Sequence, residues 1–240
     1  VVEKVEMSKG VLYLIPSTLS DDNSAILPAS TLELLFKLKT FVVEEERTAR
    51  RFLKRIHSPV PQTEFQFTTL NEHTDRKTLP EIISRIRNGM DMGLLSEAGC
   101  PGIADPGSDL ISLAHQEGIK VVPLVGPSSI LLSLMASGLN GQSFCFHGYL
   151  PVESKPRQQK IRELEKVVLK SGQSQIFIET PYRNLKLLAD LLSVCQNDLK
   201  LCIAVSLTSK DEYIKTLTIK DWKKLSPDLH KKPAVFILGV

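Results

Sequence analysis

Apolar and polar residues fall in blocks along this chain, and the block lengths switch between those of strands and those of helices. Short apolar runs over residues 11–15, 40–43, 92–95 and 120–124 read as strands, as does the alternating segment 64–70. Between them, segments 30–37, 47–56 and 78–87 carry helical spacing. In the last of these Leu79, Ile82, Ile83 and Ile86 fall on one face. A further helix ends at Gly118, which suits a C-cap, and another opens at Gly126-Pro-Ser-Ser129 and runs to Gly138. Strands alternating with helices in this way predict a largely parallel sheet flanked by helices.

The rhythm changes in the second half. Residues 144–150 read as a strand, and 151–157, with prolines and charge, as a linker. A helix to Lys170, a strand over 175–179 and a helix over 182–194 follow. Strands over 201–207, 212–219 and 234–238 then come with little helix between them, and strands so close in sequence pair antiparallel. The expected fold class is therefore α/β, with two α/β domains. Residues 1–151 form one with a mostly parallel sheet, and residues 152–240 one with a mixed sheet. A cleft between such domains is the default place for a ligand.

Composition adds a few exclusions. The 240 residues are 42% hydrophobic and 24% charged, with a formal net charge of +3. That permits nucleic-acid binding without demanding it. Cys100, Cys145, Cys195 and Cys202 form no C-x-x-C pair and sit in or beside apolar runs. They read as reduced thiols of a cytoplasmic protein, with no zinc site. The five histidines show no metal spacing. No apolar run approaches the ~18 residues of a membrane span, and residues 1–9 lack the apolar core of a signal peptide.

The stretch richest in chemistry is Ser96-Glu-Ala-Gly-Cys-Pro-Gly-Ile-Ala-Asp-Pro-Gly107. It follows a predicted strand and precedes a helix, the position at which open α/β sheets hold their ligands. Three glycines and two prolines in twelve residues fix an unusual loop that can grip a small molecule with main-chain groups. An ordinary tight connection is the plainer reading. Gly126-Pro-Ser-Ser129 is the second such segment. Ser128 or Ser129 can cap the next helix, and the same geometry offers amides and a hydroxyl to a ligand.

Several chemistries drop out. No two glycines lie two residues apart, which removes the G-x-G dinucleotide fingerprint. Gly102 and Gly107 have P-loop spacing, but Ser108 and Asp109 stand where a lysine and a hydroxyl residue belong. Neither H-E-x-x-H nor G-x-S-x-G occurs. A positive signal remains in Arg47, Arg50, Arg51, Lys54 and Arg55, whose spacing of i, i+3, i+4, i+7 and i+8 puts all five on one helix face. Lys155, Arg157, Lys160 and Arg162 make a second cluster. Such stripes track phosphates, or are simply solvated faces.

Taken in order, these segments resemble a known family. The 96–107 loop is similar to the S-D-A-G-T-P-x-I-S-D-P-G loop of the rRNA small subunit methyltransferase I family, within the tetrapyrrole methylase superfamily. Val121-Val-Pro-Leu-Val-Gly-Pro-Ser-Ser129 resembles its V-x-P-x-P-G-P, Phe146-His-Gly-Tyr-Leu-Pro151 its F-x-G-F-L-P, and Glu179-Thr-Pro-Tyr-Arg183 its E-S-P-H-R. Asn71-Glu-His73 and Glu44-Glu-Glu-Arg-Thr48 stand at its H-N-E and A-E-D-T-R segments. Three departures stand out. Pro16-Ser-Thr-Leu-Ser-Asp-Asp22 lacks the glycine of P-T-P-I-G-N-L. Val205-Ser-Leu-Thr-Ser-Lys210 lacks the arginine and glutamate of R-E-L-T-K. Residues 234–240 form a strand where family members continue into a small further domain.

The resemblance implies a two-domain methyltransferase, usually a homodimer, that holds S-adenosylmethionine in a cleft. It assigns the cofactor to Ala98, Gly99, Cys100, Pro101, Ile103, Ala104 and Asp105, to Ser128 and Ser129, and to Thr180 and Pro181. Methyl transfer needs donor and acceptor held in line, and a ribose hydroxyl acceptor also benefits from a base. Glu45, Glu46 and Glu97 are the candidates, although strand-end carboxylates are often only solvated or paired. The leading function is methylation of RNA at a ribose 2′-hydroxyl of small-subunit rRNA, with Arg47, Arg50, Arg51, Lys54 and Arg55 on the phosphates. The alternatives are a methyltransferase for a tetrapyrrole or other small molecule, and a non-catalytic RNA- or partner-binding protein on the same scaffold.

Overall fold

The computed structural model describes residues 8–21, 24–71, 74 and 77–240. Contacts divide the chain into two compact units, Val1–Pro127 and Ser128–Val240. The expected boundary at residues 151 and 152 therefore lies one helix and one strand too late. The reason is packing: the helix Ser129–Ser137 lies on strands of the second sheet, and the strand Phe144–Tyr149 pairs into that sheet.

The first unit runs β1 (Val11–Ile15), α1 (Ala29–Leu35), β2 (Thr40–Val43), α2 (Glu46–Arg55), β3 (Gln66–Thr69), α3 (Thr78–Arg87), β4 (Met92–Leu95), α4 (Ser108–Gln116) and β5 (Lys120–Pro123). All five strands are parallel, in the order β3-β2-β4-β1-β5. β2 and β4 are buried at every position and apolar but for Thr40, as strands covered on both faces should be. Side chains alternate across the sheet. Phe41, Val43 and Leu95 join Phe52 and Leu53 of α2 in one apolar layer. Val42, Met92 and Leu94 join Ile82, Ile83, Ile86 and Leu110 in the other.

The second unit contains α5 (Ser129–Ser137), β6 (Phe144–Tyr149), α6 (Ser154–Ser171), β7 (Ser174–Glu179), α7 (Asn184–Val194), β8 (Lys200–Val205), β9 (Tyr213–Thr218), α8 (Ile219–Trp222) and β10 (Ala234–Gly239). Its sheet has the order β6-β7-β10-β8-β9. β6 and β7 are parallel, and the remaining pairs are antiparallel, so the sheet is mixed as the sequence predicts. Trp222, fully buried, donates its indole N–H to Leu201 O at 2.8 Å and so closes one end of this core.

The expected linker over 151–157 is half helix, because α6 begins at Ser154. Arg157 cannot serve a phosphate-tracking cluster. It is 3% exposed, and its guanidinium contacts Asp190 through Nε at 2.7 Å and Nη2 at 2.5 Å while Nη1 donates to Val152 O at 2.6 Å. Burial alone would push the Asp190 carboxyl up, but hydrogen bonds from Gln158, Arg157 and Ser154 outweigh it and hold the group below the usual carboxylate range. A depressed folded pKa contributes stability above the unfolded pKa of about 3.9, and that stability is lost as pH falls through the folded value. Asp190→Asn should therefore cost about 3–5 kcal/mol at pH 7, because it strands a buried guanidinium. Denaturant unfolding should show the gap between variant and parent closing as the pH is lowered below about 4.

Candidate functional site

The parallel register brings four strand ends together at the carboxyl edge of the first sheet. Leu14 pairs with Leu94 and Pro123, and Val43 pairs with Leu95. The residues that leave β1, β4 and β5 must therefore touch. Ser17 donates its amide to Gly99 O at 2.9 Å, in an isolated antiparallel bridge. Cys100 Sγ lies 3.5 Å from Pro127 O. Gly126 packs so closely on the Pro16 ring that a Cβ there would sit 2.2 Å from Pro16 Cγ. Of the second segment singled out from sequence, 126–129, residues 126 and 127 lie beside the first loop within one unit, while Ser128 and Ser129 belong to the other unit.

The loop after β4 is built from main chain in rare conformations. Gly99 has φ +77°, and Ala104, which has a Cβ, is held at φ +55°. Left-handed backbone at a non-glycine residue marks a site that its surroundings over-determine. Ala98, Ile103 and Ala104 are exposed, while Gly99 and Pro101 are buried. The loop therefore presents small apolar side chains and peptide groups outward. Behind Gly99 the Ser17 hydroxyl is buried, with no hydrogen-bond partner.

Carboxylates collect at the same edge. Burial is the largest influence on Glu97 and raises its pKa, and the negative charges of Glu44 and Glu45 push the same way. A hydrogen bond with Thr48 and the charge of Arg51 offset part of the rise. Burial likewise raises Asp105, assisted by Glu97 and opposed by hydrogen bonds with Ser96 and Glu44.

The three candidate bases separate cleanly. Glu45 is the N-cap of α2, taking the amides of Arg47 at 3.1 Å and Thr48 at 3.2 Å. The Thr48 hydroxyl and those amides hold its pKa down, which leaves a weak base engaged in capping. Glu46 pairs with Arg50 at 2.8 Å one turn on. Glu97 alone projects from the ligand-type loop with its proton affinity raised.

The basic stripe also divides. Arg47, Arg51 and Lys54 are exposed. Arg50 is engaged by Glu46, by Gln62 O at 2.6 Å and by the Phe67 ring, whose centroid is 4.7 Å away. Arg55 donates to Thr18 Oγ1 at 2.9 Å and pairs with Asp21. Five residues on one helical face by spacing divide into three exposed cations, of which Arg51 also donates to Thr48 Oγ1 at 3.3 Å, and two that bind the protein itself.

In the second unit Ser128 caps α5, accepting from the Leu131 amide at 3.4 Å, and Ser129 begins the helix. Thr180 donates its amide to Glu179 Oε1 at 2.7 Å, and Pro181 O accepts from Lys231 N at 3.3 Å. Arg183 is held by Glu179 at 2.6 Å. Glu72 and His73 of the Asn71-Glu-His73 segment, and Asp22 of the first loop, lie outside the described residues. Among the described residues no His, Cys, Asp or Glu cluster suits a metal, and no helix is long and apolar enough to cross a membrane. A cavity of about 430 Å³ lined by Tyr13, Lys37, Lys39 and Asp91 opens at the amino edge of the first sheet, away from this loop.

Sequence reasoning missed Glu44, Thr48, Ser17 and Thr18. Their pairing register could have flagged Glu44, because it leaves β2 beside Ser96, but the hydroxyls carried no signal.

The chain is similar to several known proteins. The family model of Tetrapyrrole (Corrin/Porphyrin) Methylases matches residues 27–223. Ribosomal RNA small subunit methyltransferase I of Vibrio cholerae serotype O1 is 31% identical over 233 residues, 96% of this chain and 76% of the relative. The protein of the same name from Escherichia coli O157:H7 is 28% identical over 239 residues, 98% of this chain and 80% of the relative. Among solved structures the methyltransferase CobJ superposes with a TM-score of 0.64 at 18% identity, covering 97% of this chain and 94% of that one, a likeness of fold.

The raised Asp105 pKa has a measurable consequence. Its protonated form contributes stability that is fully present below the unfolded pKa of about 3.9 and is lost as pH rises through the folded value. Asp105→Asn should give a flatter stability–pH curve between pH 4 and 7 in denaturant unfolding. An unchanged slope would mean that this carboxyl is not the titrating group.

Proposed function

The chain belongs to the tetrapyrrole methylase family, and from that premise we propose that it is an S-adenosylmethionine-dependent methyltransferase acting on a ribose 2′-hydroxyl of small-subunit rRNA. The observation that carries this reading is the meeting of the 96–107 loop with Pro16–Ser17 and Gly126–Pro127 at the carboxyl edge of the parallel sheet. Relatives named for small-subunit rRNA methylation align over nearly the whole chain, which favours RNA over a tetrapyrrole acceptor.

The residues present fit the cofactor. The Ser17 hydroxyl lacks a partner, and Ala98, Ile103 and Ala104 offer an exposed apolar rim suited to a nucleoside. When bound, the cofactor supplies a methyl group already activated on a sulfonium. The main chain of Ala98, Gly99, Cys100 and Pro101 grips its edges, with Ile103, Ala104 and Asp105 beyond. Ser128 and Ser129 at the start of α5, and Thr180 and Pro181 after β7, complete the proposed contacts. Glu44, Glu97 and Asp105 make the edge negative, which favours a cationic donor.

Glu97 acts on the acceptor. Its raised proton affinity makes it the best of the three carboxylates for drawing a proton from a hydroxyl as the in-line displacement proceeds. Arg47, Arg51 and Lys54, one side of α2, hold backbone phosphates. The working assembly is a homodimer in the cytoplasm. Leu131 and Met135, exposed one turn apart on α5, are apolar groups that a second copy would cover.

Small-subunit rRNA from cells lacking this gene should accept label from methyl-tritiated S-adenosylmethionine, and mapping should place one new 2′-O-methyl group. Arg47→Glu, Arg51→Glu and Lys54→Glu combined should weaken RNA binding and reduce the log–log salt slope by about 0.7–0.9 per lost contact. Cofactor affinity should stay unchanged. Label reaching a small molecule but never RNA would sink the substrate assignment.

Glu97→Gln should lower kcat by about a hundredfold and leave cofactor affinity unaltered. The parent rate should rise with pH through the carboxyl range and then level, a limb that the variant lacks. A variant as fast as the parent would remove Glu97 from the chemistry.

A further inference from the structure

The first loop, which departs most from the family pattern, is held by an unexpected residue. Pro16–Asp21 carries no glycine, yet it must turn off β1 and pass under the cofactor-type loop. Ser17 is 1% exposed and Thr18 is 4% exposed, so this is a packed segment and not a surface tether. Its fixing point comes from α2. Arg55 donates through Nη2 to Thr18 Oγ1 at 2.9 Å and pairs through Nη1 with Asp21. The guanidinium itself lies over the Phe52 ring, with 5.8 Å from Cζ to the centroid.

What the clamp holds is the floor of the glycine loop. Ser17, next to the clamped Thr18, bonds Gly99 O at 2.9 Å. Leu19, on the other side of it, would lie 3.2 Å from a Cβ placed on Gly99. The chain thus runs from Arg55 to Thr18, from Thr18 to its two neighbours, and from those neighbours to Gly99.

We propose that Arg55 is a positioning residue for the cofactor loop, acting through Thr18 and Asp21 to press residues 16–21 against Gly99, and that it makes no phosphate contact. The role ascribed to that loop rests on the methyltransferase reading, but the clamp does not. Arginine suits the task because its planar fork reaches a hydroxyl and a carboxylate at once. A helix supplies the rigidity that a glycine-free loop of this length lacks on its own.

Arg55→Gln, Thr18→Val and Asp21→Asn are compared with the parent in three measurements. These are amide hydrogen exchange at Ser17 in the free protein, calorimetric titration with S-adenosylmethionine, and binding to a small-subunit rRNA transcript across a salt series. Arg55→Gln should speed exchange at Ser17 and weaken cofactor binding about tenfold. RNA affinity and its salt slope should hold constant. Thr18→Val should do the same to a smaller degree, and the double variant should lose no more than Arg55→Gln alone. Asp21→Asn alters only an exposed partner, so it reports on the clamp even where Arg55→Gln folds poorly. Weakened RNA binding with a flatter salt slope, or unchanged exchange at Ser17 in all three variants, would overturn the proposal. A parent that binds no S-adenosylmethionine would refute the methyltransferase reading instead, while exchange at Ser17 still decides the clamp.

Discussion

Everything at the candidate site follows from the parallel register of β4 with its two neighbours. With Leu94 opposite Leu14 and Leu95 opposite Val43, the chain leaves three strands at one height. The loops that emerge there have no free choice of neighbour. Ser17 meets Gly99, and Glu44 and Glu45 lie close enough to Glu97 for their charges to raise its pKa. That register is itself held by apolar layers on both faces of the sheet, because a slip of one residue would turn every buried side chain toward the wrong layer.

The first unit was legible because its signals are local and strong. β2 and β4 are apolar but for Thr40, and α3 carries its three buried isoleucines at helical spacing. The glycine and proline content of residues 96–107 located the loop before its contacts were known. The division between units was less legible. α5 is apolar around most of its circumference, so the pattern alone does not say which sheet it covers. β6 follows a helix as the earlier strands do, and only its pairing with β7 assigns it to the second sheet.

Charged residues were the least legible, and for one reason. Spacing tells which face of a helix a residue occupies, not what stands opposite. Arg55 and Lys54 are adjacent in sequence, yet one reaches across to Thr18 and the other projects into solvent. Arg157 looked like one of a solvated basic group, but the partner that buries it, Asp190, is 33 residues away. Among Glu45, Glu46 and Glu97 the same rule holds: two are occupied by groups within four residues of themselves, and the third is tuned by burial and by groups about fifty residues away, around the start of α2.

The proposed reaction joins a cationic donor to a polyanion, and this division of charge has a logic for it. A single basic pocket would attract RNA and repel a sulfonium, and a single acidic one would do the reverse. Helix α2 keeps the two signs apart on one rigid element. Its N-terminus sits among the carboxylates, with Glu45 as cap, and its exposed side carries Arg47, Arg51 and Lys54. Arg51 also lowers the Glu97 pKa, so it belongs to both fields.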